Sequence, residues 1–127
     1  MQTMQNVHSV KVVSDGSYLL DGGPFFGPVP KVLWEKQAKP DRKNRVRLGL
    51  NSLLIRSGDS NILVNTGIGS KEPEINRDIY GHASSRLIRN LKLSGVSAKE
   101  IDTVVLTQLH FDHSGGSTSF DREGKLI

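Results

Sequence analysis

The feature that most constrains the fold is a short apolar run that ends in a cluster of histidine and aspartate. Residues 103–107 read Thr-Val-Val-Leu-Thr, which is typical of a buried β-strand, and Gln-Leu-His-Phe-Asp-His-Ser-Gly-Gly follows. His110, Asp112 and His113 therefore come directly after the strand. Two imidazoles and one carboxylate are a donor set that suits Zn²⁺, Fe²⁺ or Mn²⁺. The pattern predicts a metal site on this loop.

The spacing of these donors favours an irregular turn, since a regular strand would direct alternate side chains to opposite sides. An irregular turn can aim all three donors towards one volume. Gly115 and Gly116 then allow a tight backbone turn, with positive φ where needed, and a close approach to an ion. The alternative interpretation is a surface loop that happens to be rich in histidine and aspartate.

The first half of the chain predicts β-rich structure. We expect a strand over 7–13, a turn at Asp15-Gly16 and a returning strand over 17–20. A second hairpin is also predicted. It consists of a strand over 46–56 with a possible break near 51–52, a turn over 57–60 and a further strand over 61–65. Three aromatic residues near prolines either line a cleft or cover a core edge: Phe25, Phe26 and Trp34.

The second half predicts α/β structure. We expect a helical turn within 72–80 and a helix capped by Ser84 or Ser85 that runs to Leu93. Ser97-x-x-Glu100 indicates a capping box before the strand over 103–107. Strand, helix and strand in this order predict a right-handed crossover between parallel strands. Both strands then end at one sheet edge, where we expect Asn65 and Gln108 to lie.

The loop resembles a known family. The pattern Thr-x-x-His-x-Asp-His-x-Gly-Gly, which begins at Thr107 and follows an apolar strand, resembles the signature loop of the metallo-β-lactamase superfamily. Residues 61–69 resemble a strand of that superfamily that ends in Asp-Thr-Gly. Three further segments are similar to the N-terminal region of its lactonase-like branch, which includes quorum-quenching enzymes: residues 21–23, 27–34 and 50–56. The resemblance covers nearly the whole chain, in the order of the family's N-terminal half.

The resemblance implies an α/β (α+β) fold, namely half of a four-layer αββα sandwich with a mixed β-sheet and helices on one face. Residues 1–127 would form a single half-domain. The resemblance also implies Zn, with Fe or Mn as alternatives, held by His110, Asp112 and His113. Asp112 would act catalytically by holding metal and orienting a water, while the metal polarises the carbonyl of a lactone or ester.

Two positions depart from the family pattern. Gln108 stands where the family has the first histidine of the loop, and Asn65 stands where it has an aspartate. Amide oxygens are poorer metal donors than imidazole or carboxylate. Other family ligands come from a C-terminal half. The expected function is therefore a metal-binding, hydrolase-type domain whose activity is weak or lost as the chain stands.

A half-sandwich predicts a partner, because one sheet face would remain in water and large exposed apolar patches usually mark interfaces. We expect a homodimer or a complementary C-terminal half. A non-catalytic homodimer, in which two half-length chains rebuild the sandwich in an isologous arrangement, is the alternative function. A fragment without function is the third possibility.

Composition agrees with a globular chain that does not enter a membrane. The sequence is 35% hydrophobic and 24% charged, and no apolar run approaches the roughly 20 residues of a membrane span. The N-terminus lacks the features of a signal peptide, which predicts a cytoplasmic location. With no cysteine there is no thiolate ligand.

The net charge of +4 comes with a basic stretch at 36–47 that lacks interleaved aromatics, so we expect a solvated loop and no nucleic-acid partner.

Overall fold

The computed structural model describes residues 7–82 and 84–127. Its strands and helices, together with two 3₁₀ turns, follow in this order: β1 (Val7–Asp21), α1 (Gly22–Phe26), α2 (Lys31–Trp34), β2 (Arg45–Ser57), β3 (Ser60–Val64), α3 (Glu74–Tyr80), α4 (Leu87–Leu93), a 3₁₀ turn (Ala98–Glu100), β4 (Thr103–Val105), α5 (Phe111–Ser114) and a second 3₁₀ turn (Gly115–Ser117).

The strands form one mixed sheet in the order β1-β2-β3-β4. β2 and β3 are antiparallel and pair Leu54 with Leu63, as the predicted hairpin requires. β3 and β4 are parallel and pair Leu63 with Val104, so the predicted crossover between parallel strands is confirmed. The mixed α+β architecture agrees with the expected fold class.

The chain divides into two compact units. The described part of the first comprises residues 7–16, 50–72 and 84–127, and that of the second comprises 17–49 and 73–82. The core of the first unit forms where α4 packs on one face of the sheet. Its members are Val13, Leu54, Leu63, Leu87, Leu91 and Val96, with Ile101 packed against them.

In the second unit, Trp34 is buried and its ring stacks on Phe26 with the ring centroids 4.7 Å apart. A Cβ on Gly22 would overlap the Trp34 ring, so a glycine is required at that close approach. Phe25 packs edge-on against Phe26 and remains partly exposed. The burial of Trp34 agrees with the interpretation that these aromatic residues cover a core edge.

The expected hairpin at Asp15-Gly16 is wrong, because β1 continues as one strand through both residues. Gly16 has a φ of 105°, and its N–H donates to Ser14 Oγ at 2.9 Å, so the pair bends the strand without reversing it. The predicted break near residues 51–52 is also wrong. Ser52 is buried between Leu50 and Leu54 in a regular alternation, which keeps β2 continuous.

Several local predictions hold with shifted ends. The helical turn within 72–80 is α3, and the predicted second helix is α4, which begins at Leu87 because Ser85 bonds to Asp15 and does not act as the cap. The capping box is present, since the Ser97 N–H donates to Glu100 Oε1 at 3.1 Å. β4 ends at Val105, two residues earlier than expected.

Candidate active site

The candidate site lies where β3 and β4 end beside each other. Val64 and Val105 are partners in the parallel register, and the Asn65 N–H donates to the Val105 carbonyl at 2.8 Å. The loop that carries the histidines therefore leaves the sheet next to Asn65. The prediction that Asn65 lies at this edge is confirmed.

Asn65 holds the start of the loop. Its Oδ1 accepts hydrogen bonds from the Thr107 backbone N–H at 3.0 Å and from the Thr107 hydroxyl at 3.1 Å. Its backbone is left-handed, with a φ of 64°, a conformation that asparagine tolerates better than most residues. The amide oxygen thus serves a positioning role that needs an acceptor and no negative charge.

Thr66 fixes the far side of the loop. It is 2% exposed, and both its N–H and its hydroxyl donate to the His113 carbonyl, at 2.7 and 3.0 Å. α5 begins after His110 and places His113 in its last turn. The backbone that carries His113 is therefore anchored to the residue that follows Asn65.

Gly115 and Gly116 let the loop pass against the backbone of residues 66–68. A Cβ on Gly115 would overlap the Ile68 carbonyl oxygen, and a Cβ on Gly116 would overlap that of Thr66. Gly115 has an ordinary helical φ of −61°, so the need for glycine here comes from close packing and not from a positive φ. The sequence predicted a close approach of this pair to a bound ion; the close approach in the structure is to backbone.

The two imidazoles of the loop meet at one side chain. Gln108 Oε1 is within hydrogen-bond distance of His110 Nδ1, and Gln108 Nε2 lies 3.1 Å from His113 Nε2. Gln108 is itself exposed. The residue that departs from the family pattern therefore connects two of the predicted metal ligands.

Asp112 is the third predicted donor. Its Oδ1 lies 3.0 Å from His113 Nδ1, a distance typical of an ion pair or a charge-assisted contact. His113 Nδ1 is buried, and its geometry towards Asp112 is not that of a well-formed hydrogen bond. Asp112 thus contacts His113, and Gln108 connects His113 to His110.

A metal ion does not fit this set as the side chains are arranged. Within residues 7–82 and 84–127, no three histidine, aspartate or glutamate side chains gather into a group that could hold an ion. The Gln108 amide engages one nitrogen atom of each imidazole. The assignment of His110, Asp112 and His113 as ligands remains a prediction.

Sequence reasoning missed Asp15, a buried carboxylate close to the site. Its Oδ1 accepts hydrogen bonds from Ser85 Oγ, from the Arg86 N–H and from the Leu87 N–H. A Cβ on Gly67 would overlap this carboxylate, so the turn after Thr66 packs directly on it. An aspartate before a glycine is an ordinary turn signal, and no local pattern marks it as a buried cap for a helix 72 residues away.

The described fold is a mixed sheet in which a loop with two histidines and an aspartate follows a parallel strand. The family model described as "Metallo-beta-lactamase superfamily" matches residues 45–126. The chain belongs to the metallo-β-lactamase superfamily. The resemblance seen in the sequence is therefore confirmed.

Similar proteins have related activities. The chain is 30% identical to human "Acyl-coenzyme A thioesterase MBLAC2" over 92 residues, which is 72% of this chain and 29% of the human protein. Its structure is similar to that of a probable metal-dependent hydrolase from Staphylococcus aureus, with a TM-score of 0.83 and 32% identity over 91% of this chain and 42% of the other. It also shares its fold with AidC, a dizinc quorum-quenching lactonase, with a TM-score of 0.65 and 24% identity over 93% of this chain and 38% of the other.

The chain spans less than a third of the human thioesterase and less than half of either solved structure. Within the residues that the structure describes, no helix has the length and hydropathy needed to cross a membrane.

Proposed function

We propose that this chain is a metal-binding, hydrolase-type domain of its superfamily, with His110, Asp112 and His113 as its metal ligands and with weak or lost activity as it stands. The observation that supports this most directly is the loop itself. Two imidazoles lie within hydrogen-bond reach of one side chain, beside an aspartate, at the end of a parallel strand. Zn is the proposed metal, with Fe or Mn as alternatives that the same donors suit.

The proposed substrate class is an acyl ester, lactone or thioester. The named relatives cleave an acyl thioester or a lactone, and all these substrates contain an acyl carbonyl next to a leaving oxygen or sulfur. A metal held by these residues would supply Lewis-acid polarisation of that carbonyl. In this chain Asp112 would hold the metal and orient water, and Asn65 holds the loop through Thr107.

Reduced activity is part of the proposal, for two reasons. Gln108 supplies an amide where an imidazole would bind a metal much better, and it engages both remaining imidazoles. Asn65 supplies a neutral oxygen where a carboxylate would add a negative charge close to a cation. Both positions weaken the attraction for an ion at the same end of the sheet.

The test is zinc retention and hydrolysis in three proteins: the unchanged chain, the variant with both Gln108→His and Asn65→Asp, and that variant with His110→Ala added. We expect weakly bound zinc in the unchanged chain, firmly retained zinc in the double variant and loss of zinc when His110 is removed, measured by plasma mass spectrometry. Hydrolysis of an N-acyl homoserine lactone and of an acyl-CoA should follow the zinc content. Absence of zinc from every variant would contradict the proposed site.

A second candidate, the non-catalytic homodimer, is favoured by an uncovered sheet face in the first unit. Leu53, Val64 and Val105 are in register on the face opposite to the Leu54–Leu63 pair, which packs under α4. Alternation places Val10 and Val12 on the same uncovered face, because Val13 belongs to the core. Val10, Val12, Leu53 and Val105 are all exposed.

Such a face needs a cover, for which we propose a second copy of the chain or a complementary C-terminal half. Sedimentation velocity separates the two, since a dimer of the unchanged chain supports self-association and a monomer excludes it. Val12→Glu should abolish a dimer built on this face. Leu93→Glu is the matched control, because Leu93 is 77% exposed on α4 and lies away from the uncovered face.

The remaining parts of the proposal concern organisation and location. Residues 1–127 act as one half-domain, without a nucleic-acid or membrane partner, in the cytoplasm. The absence of cysteine is compatible with a reducing compartment. Imaging of the tagged chain, together with fractionation, tests the location, and recovery in a membrane or secreted fraction would contradict it.

A further inference from the structure

Gln108 is the residue around which the candidate site is organised. Its side chain carries an acceptor and a donor, and each meets a different imidazole: Oε1 meets His110 Nδ1, and Nε2 lies 3.1 Å from His113 Nε2. A metal ion bound by both rings would need nitrogen lone pairs pointing at a common centre. An amide needs one ring to donate and the other to accept.

The surroundings of His113 determine which ring does which. His113 Nδ1 is buried and lies 3.0 Å from the Asp112 carboxylate. A nitrogen lone pair facing a carboxylate oxygen at that distance would be repelled, so Nδ1 carries the proton. In neutral imidazole the other nitrogen, Nε2, is then an acceptor, which matches the Gln108 NH₂ group that it faces.

The same logic continues to His110. With the Gln108 NH₂ directed at His113, the amide oxygen is directed at His110 and requires a donor there. His110 therefore carries its proton on Nδ1. The chain from His113 through Gln108 to His110 therefore has one consistent assignment of donors and acceptors, and Asp112 acts on it through the charge that it places beside His113 Nδ1.

We propose that the Gln108 amide is an internal cross-link that fixes both imidazoles as Nδ1–H tautomers and so holds the loop in shape without a metal, at the expense of metal affinity. This inference rests on the proposed function, since it assigns to Gln108 a role in the same site. Gln108 is a positioning residue, and it engages the nitrogen atoms that an ion would otherwise use.

The direct test is the tautomer of each histidine, read from long-range ¹H–¹⁵N correlation spectra of the metal-free chain at mildly alkaline pH. We expect His110 and His113 each to be a single Nδ1–H tautomer. Gln108→Ala should turn the His110 signals into those of a tautomer mixture. Leu109→Ala is the control, because Leu109 is 81% exposed in the same loop and its side chain should not affect either ring.

Gln108→Glu tests the direction of the cross-link. Glutamate has nearly the same shape but removes the NH₂ donor, so His113 should no longer be a single Nδ1–H tautomer, while His110 keeps its Nδ1–H. Mixed tautomers in the unchanged chain, or spectra that do not respond to Gln108→Ala, would overturn the cross-link.

A zinc titration of the same proteins separates this inference from the proposed function. Because zinc must displace two hydrogen bonds in the unchanged chain, we expect Gln108→Ala to bind zinc about tenfold more tightly, equivalent to about 1.4 kcal/mol. If Gln108→Ala binds zinc no more tightly than the unchanged chain, the Gln108 amide does not compete with zinc for the two imidazole nitrogens. If the tautomers are as expected and none of the variants, including Gln108→His, binds zinc, the cross-link between the two imidazoles is supported, whereas its cost in metal affinity and the proposed function are both contradicted.

Discussion

Replacement of Asp15 by alanine should cause a larger loss of stability than any exposed substitution in the chain. Asp15 is fully buried, and its Oδ1 accepts hydrogen bonds from Ser85 Oγ at 2.6 Å, the Arg86 N–H at 2.8 Å and the Leu87 N–H at 2.9 Å. No side chain of α4 caps its own first turn, so this carboxylate from β1 replaces a local cap.

The magnitude follows from the groups that alanine would leave without an acceptor. A local cap is worth about 0.5–2 kcal/mol, and each orphaned buried donor costs about 1–3 kcal/mol. The Leu87 N–H bond is buried and the other two are partly buried. Loss of the Asp15 Oδ2, which is buried without a hydrogen-bond partner, offsets part of the cost. We therefore expect Asp15→Ala to lower the free energy of unfolding by about 3 kcal/mol.

Urea denaturation followed by far-ultraviolet circular dichroism measures this loss. With a denaturant slope of about 1.5–2 kcal/mol per molar, the midpoint should fall by about 1.5–2 M. Asp15→Asn keeps an acceptor oxygen and should lose less, and Asp59→Ala, at an exposed position, should change little. A loss below about 0.5 kcal/mol for Asp15→Ala, the range of ordinary surface changes, would refute the assigned role.

Three further predictions follow from other described residues. The buried Ser52 hydroxyl makes no hydrogen bond, so Ser52→Ala should leave stability unchanged or raise it by up to about 1 kcal/mol; a clear loss in urea denaturation would contradict this. Gly116→Ala should lower stability by about 1–3 kcal/mol, because the added Cβ meets the Thr66 carbonyl oxygen; a thermal melting temperature equal to that of the unchanged chain would show that the loop can move aside. The pKa of Asp41 lies below its usual value, chiefly because the Arg45 N–H donates to its carboxylate. The stability from this contact should be full above the unfolded pKa and disappear as the pH falls through the lower folded pKa; a carboxyl titration midpoint by NMR at or above the usual value would be inconsistent with it.

The parts of the fold that the sequence predicted are those set by local patterns. The β2–β3 hairpin and β4 follow from apolar runs separated by turn residues, and the Ser97–Glu100 capping box is a motif of four neighbouring positions. The superfamily was recognisable because its loop motif is contiguous in the chain. Such features depend on few residues that are close in sequence.

One feature that the sequence did not predict depends on distant residues. Asp15-Gly16 has the composition of a turn, but the carboxylate is buried because the first turn of α4, more than 70 residues away, supplies its donors. Tertiary contacts therefore override local propensity at Asp15. The error at Ser52 has a local cause, since the alternation of Leu50, Ser52 and Leu54 on the buried face keeps β2 continuous.

The candidate site falls between these cases. Its residues were predicted from the sequence and remain a prediction, and Gln108 was recognised as a departure from the family pattern. That the amide would meet both imidazoles depends on side-chain geometry in an irregular loop, which spacing alone does not determine.

We propose that this loop keeps the ligands of a metal site and that Gln108 and Asn65 weaken the binding of an ion there. Anomalous difference density at the zinc edge, from crystals of the variant with both Gln108→His and Asn65→Asp grown with zinc, is the measurement that tests this proposal. We predict a peak at about 2.0–2.1 Å from nitrogen atoms of His110 and His113, and a much weaker peak in the unchanged chain. A strong peak in the unchanged chain, or no peak at these histidines in the variant, would contradict the account.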